Sequence, residues 1–99
     1  MRVNIDAALL MIDVACENRH MLRKDESRKL LLVGIYELTD FCLEAIQAVG
    51  NPAKWTNCRT EIELVRDLAV EGLKSDNLEK AFNHIQGVSL RAVPSPEEI

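Results

Sequence analysis

The chain has 99 residues, of which 47% are hydrophobic and 28% are charged, and its formal net charge is −4. That length is enough for one domain and excludes a second, and the hydrophobic fraction is well above that of disordered chains. The acidic balance argues against a protein that coats nucleic acid or an anionic membrane. Because the only aromatic residues are two Phe, one Tyr and one Trp, the core must be mainly aliphatic, which favours packed helices over a small β-sandwich.

Targeting signals and cysteine usage indicate the compartment. No stretch approaches the roughly 18 consecutive apolar residues of a membrane span, and Asp6 and Asp13 interrupt the pattern of a signal peptide. The three cysteines, Cys16, Cys42 and Cys58, are odd in number and widely spaced, unlike a secreted disulfide framework. The sequence therefore predicts a cytoplasmic protein that has free thiols and no membrane partner.

The first predicted helix covers residues 4–23. Its main apolar stripe follows helical spacing and consists of Ile5, Leu9, Ile12 and Cys16. Leu10 and Val14 lie across the helix from this stripe. Two sides of the first helix are therefore predicted to be buried.

The second predicted helix covers residues 26–49. Its stripe steps alternately by four and three residues, which suits packing at a shallow crossing angle, and consists of Leu31, Ile35, Leu38, Cys42, Ala45 and Val49. Because other apolar residues flank the stripe, this helix is predicted to be central and the most buried. Gly34 costs about 1 kcal/mol relative to Ala in an exposed helix, so its presence predicts a close approach by a neighbouring backbone.

The third predicted helix covers residues 52–72. Gly50 suits the end of the second helix, and Pro52 suits the first turn of the next. Apolar residues then step by three and four from Trp55 onward, which favours a continuous helix. The alternative places a loop at residues 54–57 and begins the helix at Cys58.

The fourth predicted helix is short and covers residues 76–86. Asp76 and Glu79 have the spacing of a capping box, and Gly87 marks the end. Residues 89–99 contain Pro94 and Pro96 and have little to bury, which predicts a mobile tail. The expected fold is an all-α, compact bundle of about four helices, with one domain over residues 1–88.

Catalytic chemistry finds no support in the sequence. Glu17 and His20 have the Glu-x-x-His spacing of a di-iron site, with Asp13 on the same helix face. That face is opposite the apolar stripe, however, and a second copy of the motif is missing. No phosphate-binding loop, nucleophile motif or zinc-ligand spacing is present. We therefore predict no catalytic, cofactor or metal site.

A basic corner is the most uneven charge feature, because five of the twelve basic residues lie within the segment 19–29. They are Arg19, Arg23, Lys24, Arg28 and Lys29. One interpretation is a contact for phosphate or for an acidic protein surface. The other is that Arg23 and Lys24 complement the C-terminal end of helix one, while Asp25 and Glu26 complement the start of helix two, so that no partner is needed.

The other uneven feature is apolar surface. Helices one and two carry more of it than three neighbouring helices normally cover. A homodimer that buries Leu10 and Val14 would absorb this surplus, as would a groove for a helix of another protein. Alternatively, helix four and residues 88–93 fold back over it. Trp55 is a candidate interface anchor, although a core position is more common for Trp.

The predicted function is a non-enzymatic protein–protein interaction module. It would be an adaptor, a chaperone or an inhibitor of a larger complex, of the kind that phages and mobile elements encode, and it would form a homodimer. The competing hypothesis is a small regulator that contacts nucleic acid or phosphate through the basic corner.

Overall fold

The computed structural model describes the backbone of residues 2–48, 55–75 and 77–91, and in these ranges the chain forms four α-helices and no strand. Helix α1 spans Arg2–Asn18, α2 spans Asp25–Ala48, α3 spans Thr56–Lys74, and α4 spans Leu78–Arg91. A 3₁₀ turn over Arg19–Met21 follows α1 directly. The prediction of an all-α bundle is confirmed.

The four helices pack as a ring in which neighbours along the chain are neighbours in space. Helix α2 lies between α1 and α3, and α4 packs against α3 and returns to α1. The fully buried side chains come from all four helices and are mostly aliphatic; the largest are Phe82, Ile5, Ile12, Leu32, Ile35, Ile46, Ile62 and Ile85. The core therefore has the aliphatic character that the composition predicts.

Helix α4 is longer than predicted. It was expected to end near Gly87, but it continues through that residue to Arg91, and Val88 is buried in the core. The predicted tail at residues 89–99 therefore begins inside the helix, and residues 92–99 lie outside the described part of the chain. Asp76, the predicted cap, lies outside the described residues, and the side chain of Asn77 accepts a hydrogen bond from the backbone N–H of Lys80, at 3.1 Å.

Helix α2 is less buried than predicted. Its fully buried stripe consists of Leu32, Ile35, Thr39, Cys42 and Ile46, so it is rotated from the predicted stripe, in which Leu31 and Leu38 are only half-buried. Thr39 is tolerated there because its hydroxyl donates to the carbonyl of Tyr36, at 2.6 Å. The prediction that this helix is the most buried one is wrong, since five of its 24 residues are buried and Leu30, Val33 and Phe41 are exposed.

Helix α3 begins between the two predicted positions, at Thr56, directly after the buried side chain of Trp55. Residues 52–54, where the continuous helix was expected to start, lie outside the described ranges. The helix ends two residues beyond Gly72, where α2 and α4 approach α3 closely. A Cβ added at Gly72 would lie 2.6 Å from the Cβ of Ala81 and 2.8 Å from Leu32 Cδ2.

The described helices were also compared with the requirements of a membrane span. None of them is both long enough and apolar enough to cross a bilayer.

Candidate interaction surface

An exposed apolar surface runs along α1 and α2, and we call it the α1/α2 face. It consists of six large side chains that are between 39% and 73% exposed: Leu10, Met11, Val14, Leu30, Val33 and Phe41. Val14 lies one turn from both Leu10 and Met11, and Val33 lies one turn from Leu30, so side chains on each helix are in register to touch. Leu10 and Val14, which the sequence singled out, are both part of this face.

A groove between the two helices runs through the α1/α2 face. Its volume is about 550 Å³, and its walls include Met11 and Ala15 from α1 and Leu30, Gly34 and Phe41 from α2. A smaller depression of about 280 Å³ extends it past Ala7, again between Met11 and Phe41. Helix α4 packs on α1 and α3, so it does not cover the face, although residues 92–93 of the predicted cover lie outside the described ranges.

Gly34 has a different role from the predicted one. A Cβ added there would meet no atom within 4 Å, so no neighbouring backbone approaches it, and the prediction of a close approach is wrong. Gly34 instead forms part of the groove wall, where the missing side chain leaves the groove open. The close approach expected of Gly34 occurs at Gly72 instead.

Arg19 does not belong to the basic corner, which corrects the sequence prediction. Its side chain is 4% exposed and points into the contact between α1 and α4. Two of its guanidinium nitrogens bind the Glu79 carboxylate, with distances of 2.9 Å from Nη2 and 3.1 Å from Nε to Oε1. Nη2 also donates to Asn83, and the guanidinium carbon lies 5.7 Å from the centre of the Phe82 ring.

The same guanidinium completes the end of α1. Nη1 of Arg19 donates to the backbone carbonyl of Cys16, at 2.7 Å, and to the side-chain oxygen of Gln86, at 3.3 Å. Carbonyls in the last turn of a helix have no partner within the helix, and a cation is favoured there. Arg19 therefore joins the end of α1 to one face of α4, and we call its partners Glu79, Asn83 and Gln86 the Arg19 cluster.

The Arg19 cluster lowers the pKa of the Glu79 carboxyl. The hydrogen bonds from Arg19 lower the pKa of the Glu79 carboxyl, and the positive charges of Arg19, His20 and Arg28 act in the same direction, while partial desolvation opposes them. The carboxylate form is thus the one that the folded state favours.

The remaining basic corner is smaller than predicted. Arg23, Lys24 and Lys29 are exposed, while the Nε of Arg28 donates to the carbonyl of Leu22, at 2.9 Å, across the turn between α1 and α2. Asp25 and Glu26 are exposed within the same corner. Three exposed basic side chains beside two exposed acidic ones make a modest site for phosphate.

Trp55 does not offer the surface that an interface anchor requires. It is 6% exposed and belongs to the core, where it packs with the aliphatic side chains at the start of α3. This is the core position that the sequence analysis held as the alternative.

The residues considered for chemistry are not assembled into a site. Glu17 and His20 are exposed on α1, and the described part of the chain contains no group of three His, Cys, Asp or Glu side chains arranged to hold a metal. The three cysteines are buried, and for Cys16 and Cys42 this agrees with their place on the predicted apolar stripes. Burial raises the pKa of the thiols of Cys16 and Cys42 to about 11, which keeps them protonated and poorly nucleophilic near neutral pH.

A second cavity lies between α3 and α4, with a volume of about 390 Å³. Its walls include Glu71, Ser75, Lys80 and His84 around Gly72. These polar side chains surround Gly72 and Ala81, and the cavity lacks the run of exposed large apolar side chains that marks the α1/α2 face.

Comparisons with protein-family models, with curated proteins and with solved structures each returned no match.

Proposed function

We propose that this protein is a non-enzymatic protein–protein interaction module, and that the α1/α2 face is its binding surface. It acts by assembly or by occlusion, as an adaptor, a chaperone or an inhibitor of a larger complex. The observation that carries the proposal is the exposure of six large apolar side chains on two neighbouring helices, three of which, Met11, Leu30 and Phe41, line one groove. Single exposed apolar residues are ordinary, whereas a contiguous patch marks a contact surface.

Binding at this face must gain at least as much free energy from apolar burial as association costs. Burying the rest of a partly exposed Leu, Met or Phe side chain contributes on the order of 1 kcal/mol. Association costs about 4 to 15 kcal/mol in lost translational and rotational freedom. Six such side chains, together with the apolar surface of a partner, offset a cost of that size.

The compartment is part of the same proposal. Three buried, unoxidised thiols suit the reducing cytoplasm, where disulfides are rare. We propose that the module works there.

Contact with nucleic acid or phosphate is the competing function. Arg23, Lys24 and Lys29 support it, because they are the exposed cations of the corner. A surface of three cations should release few counterions, so binding to a phosphate polymer would be weak and would fall as salt is added, with the shallow slope of about three phosphate contacts. Binding through the apolar face should change little with salt, because burial of apolar surface is not a charge interaction.

The test compares three variants in a capture experiment from the native cell. Leu10→Glu and Leu30→Glu place a charge on the face at side chains that are 64% and 73% exposed, so the fold should tolerate them. Leu64→Glu is the matched control, because Leu64 is an exposed leucine on α3, outside the face. We expect both face variants to lose the proteins that the wild type retains, while Leu64→Glu keeps them.

Two results would contradict the proposal. If the face variants and the control retain the same proteins, the α1/α2 face is not the binding surface. If binding survives on the face variants but disappears in an Arg23→Glu and Lys24→Glu double variant, the basic corner carries the function. Circular dichroism of each variant establishes that the helices are intact.

A further inference from the structure

We propose that the occupant of the α1/α2 face is a second copy of this chain, packed so that the two α2 helices run antiparallel and Phe41 of each copy enters a hole on the other. This proposal rests on the proposed function, because it names the partner of the same face. Three features of α2 carry it: a hole, a side chain that fits it, and charges at opposite ends of the helix.

The hole is formed by four residues of α2. Leu30, Val33, Gly34 and Glu37 occupy positions i, i+3, i+4 and i+7, which is the set of four residues that receives a side chain in knobs-into-holes packing. Leu30, Gly34 and Glu37 all contribute to the wall of the groove. Because a Cβ at Gly34 would meet nothing within 4 Å, the hole is deep on the side that faces α1.

The side chain that fits this hole is Phe41 of the second copy. Phe41 follows Glu37 by one turn, lies on the same side of α2 as the hole, and is 46% exposed. The centre of the hole and Phe41 are separated by about 11 Å along the helix, at 1.5 Å per residue. A twofold axis midway between them, beside Glu37, places each Phe41 over the hole of the other copy, as an isologous interface requires.

Charge favours the antiparallel arrangement over a parallel one. Lys29 lies near the start of α2, and Glu44 lies near its end, and both are exposed. In the antiparallel register, Lys29 of each copy lies within one turn of Glu44 of the other, which forms two symmetric ion pairs at the rim. Parallel helices would instead bring Lys29 beside Lys29 and Glu44 beside Glu44.

One charge opposes the dimer and therefore adds a test. Glu37 lies beside the proposed twofold axis, so the Glu37 carboxylates of the two copies approach one another. Their like charges repel. Removing this charge should strengthen the dimer. A Glu37→Gln variant is thus expected to dimerise at lower concentration than the wild type.

The experiment measures the oligomeric state of the full chain by sedimentation equilibrium across a wide concentration range. We expect a dimer for the wild type and a dissociation constant raised about tenfold or more for Gly34→Leu, because the new side chain fills the hole. Gly87→Leu is the matched control, since Gly87 is also a helical glycine with nothing within 4 Å of an added Cβ. It should leave the dimer unchanged.

A charge exchange tests the register independently of the hole. Lys29→Glu and Glu44→Lys should each weaken the dimer severalfold, and the double variant should restore it, because the ion pairs are rebuilt with their signs exchanged. If the double variant is no better than the two single variants, the antiparallel register is wrong. If Gly87→Leu weakens the dimer as much as Gly34→Leu does, filling the hole is not the cause of the weaker dimer.

The oligomeric state and the capture experiment together separate the second copy as occupant from the proposed function. A wild type that stays monomeric at every concentration overturns the second copy as the occupant. If Leu10→Glu and Leu30→Glu still abolish capture of another protein, the face binds a helix of that protein and the proposed function stands. If the chain is monomeric and capture is also unaffected, both proposals fail.

Discussion

Replacing Arg19 with alanine removes the cation that joins the end of α1 to α4. The substitution deletes the hydrogen bonds to Glu79, Asn83, Gln86 and the Cys16 carbonyl, together with the contact with the Phe82 ring. Breaking a fully buried ion pair costs about 3 to 5 kcal/mol, because the remaining charge is left without a partner. The side chain of Glu79 is 48% exposed, so water can solvate it, and the cost should be smaller.

We expect Arg19→Ala to lower the free energy of unfolding by about 2 to 3 kcal/mol, since hydrogen bonds to charged groups contribute about 1.5 to 3 kcal/mol and are not additive. For a chain of this size, such a loss corresponds to a fall of roughly 10 to 20 °C in Tm. Arg19→Lys should recover little of it, because an ammonium group cannot bind Glu79, Asn83 and the carbonyl together in the planar geometry of a guanidinium.

The assay is urea unfolding followed by circular dichroism, with Arg59→Ala as the control. Arg59 forms an exposed i, i+4 ion pair with Glu63, at 3.7 Å, so its removal should cost no more than about 0.5 kcal/mol. If the unfolding free energy of each variant depends on urea with the same slope, unfolding exposes the same amount of surface in each variant. If Arg19→Ala costs no more than Arg59→Ala, the Arg19 cluster does not stabilise the bundle.

Three further outcomes follow from the same structure. Gly72→Ala should destabilise the fold by about 1 to 3 kcal/mol through overpacking, whereas Gly34→Ala should stabilise the monomer by about 0.5 to 1 kcal/mol, and thermal unfolding measures both. Because the folded-state pKa of Glu79 lies below its ordinary value of 4.5, its contribution is present above pH 4.5 and is lost as the pH falls below that value. The stability difference between the wild type and Glu79→Gln should therefore shrink on acidification in urea titrations. Cys16 and Cys42 should react with a thiol reagent at mildly alkaline pH only after unfolding in guanidinium chloride, because both are buried and their pKa values are raised to about 11.

Local patterns in the sequence were sufficient for the helices and for part of the candidate face. The stripe from Ile5 to Cys16 is fully or nearly fully buried, because a 3.6-residue period determines which side chains share a face whatever that face contacts. Leu10 and Val14 were predicted for the same reason to form a second apolar side of α1, but the prediction that this side is buried is wrong in the described chain, where both are exposed on the α1/α2 face. Whether that face binds a partner stays a proposal.

The position of Arg19 could not be read from local pattern. Arg19 lies among four other basic residues along the chain, which predicted a shared exposed corner. Its partners Glu79, Asn83 and Gln86 are 60 to 67 residues away in sequence. Only the packing of α4 against the end of α1 brings them within hydrogen-bonding distance, and the buried guanidinium follows from that contact.

Gly34 and Gly72 also separate what local sequence pattern determines from what helix packing determines. The sequence by itself determined the four helices and the buried stripe of α1, but it misplaced the stripe of α2 and the end of α4 at Gly87. It carried no signal for which glycine another helix approaches, because that depends on the rotation and spacing of α2, α3 and α4. The tertiary structure decided it: Gly72 lies where these three helices meet, and Gly34 faces an open groove.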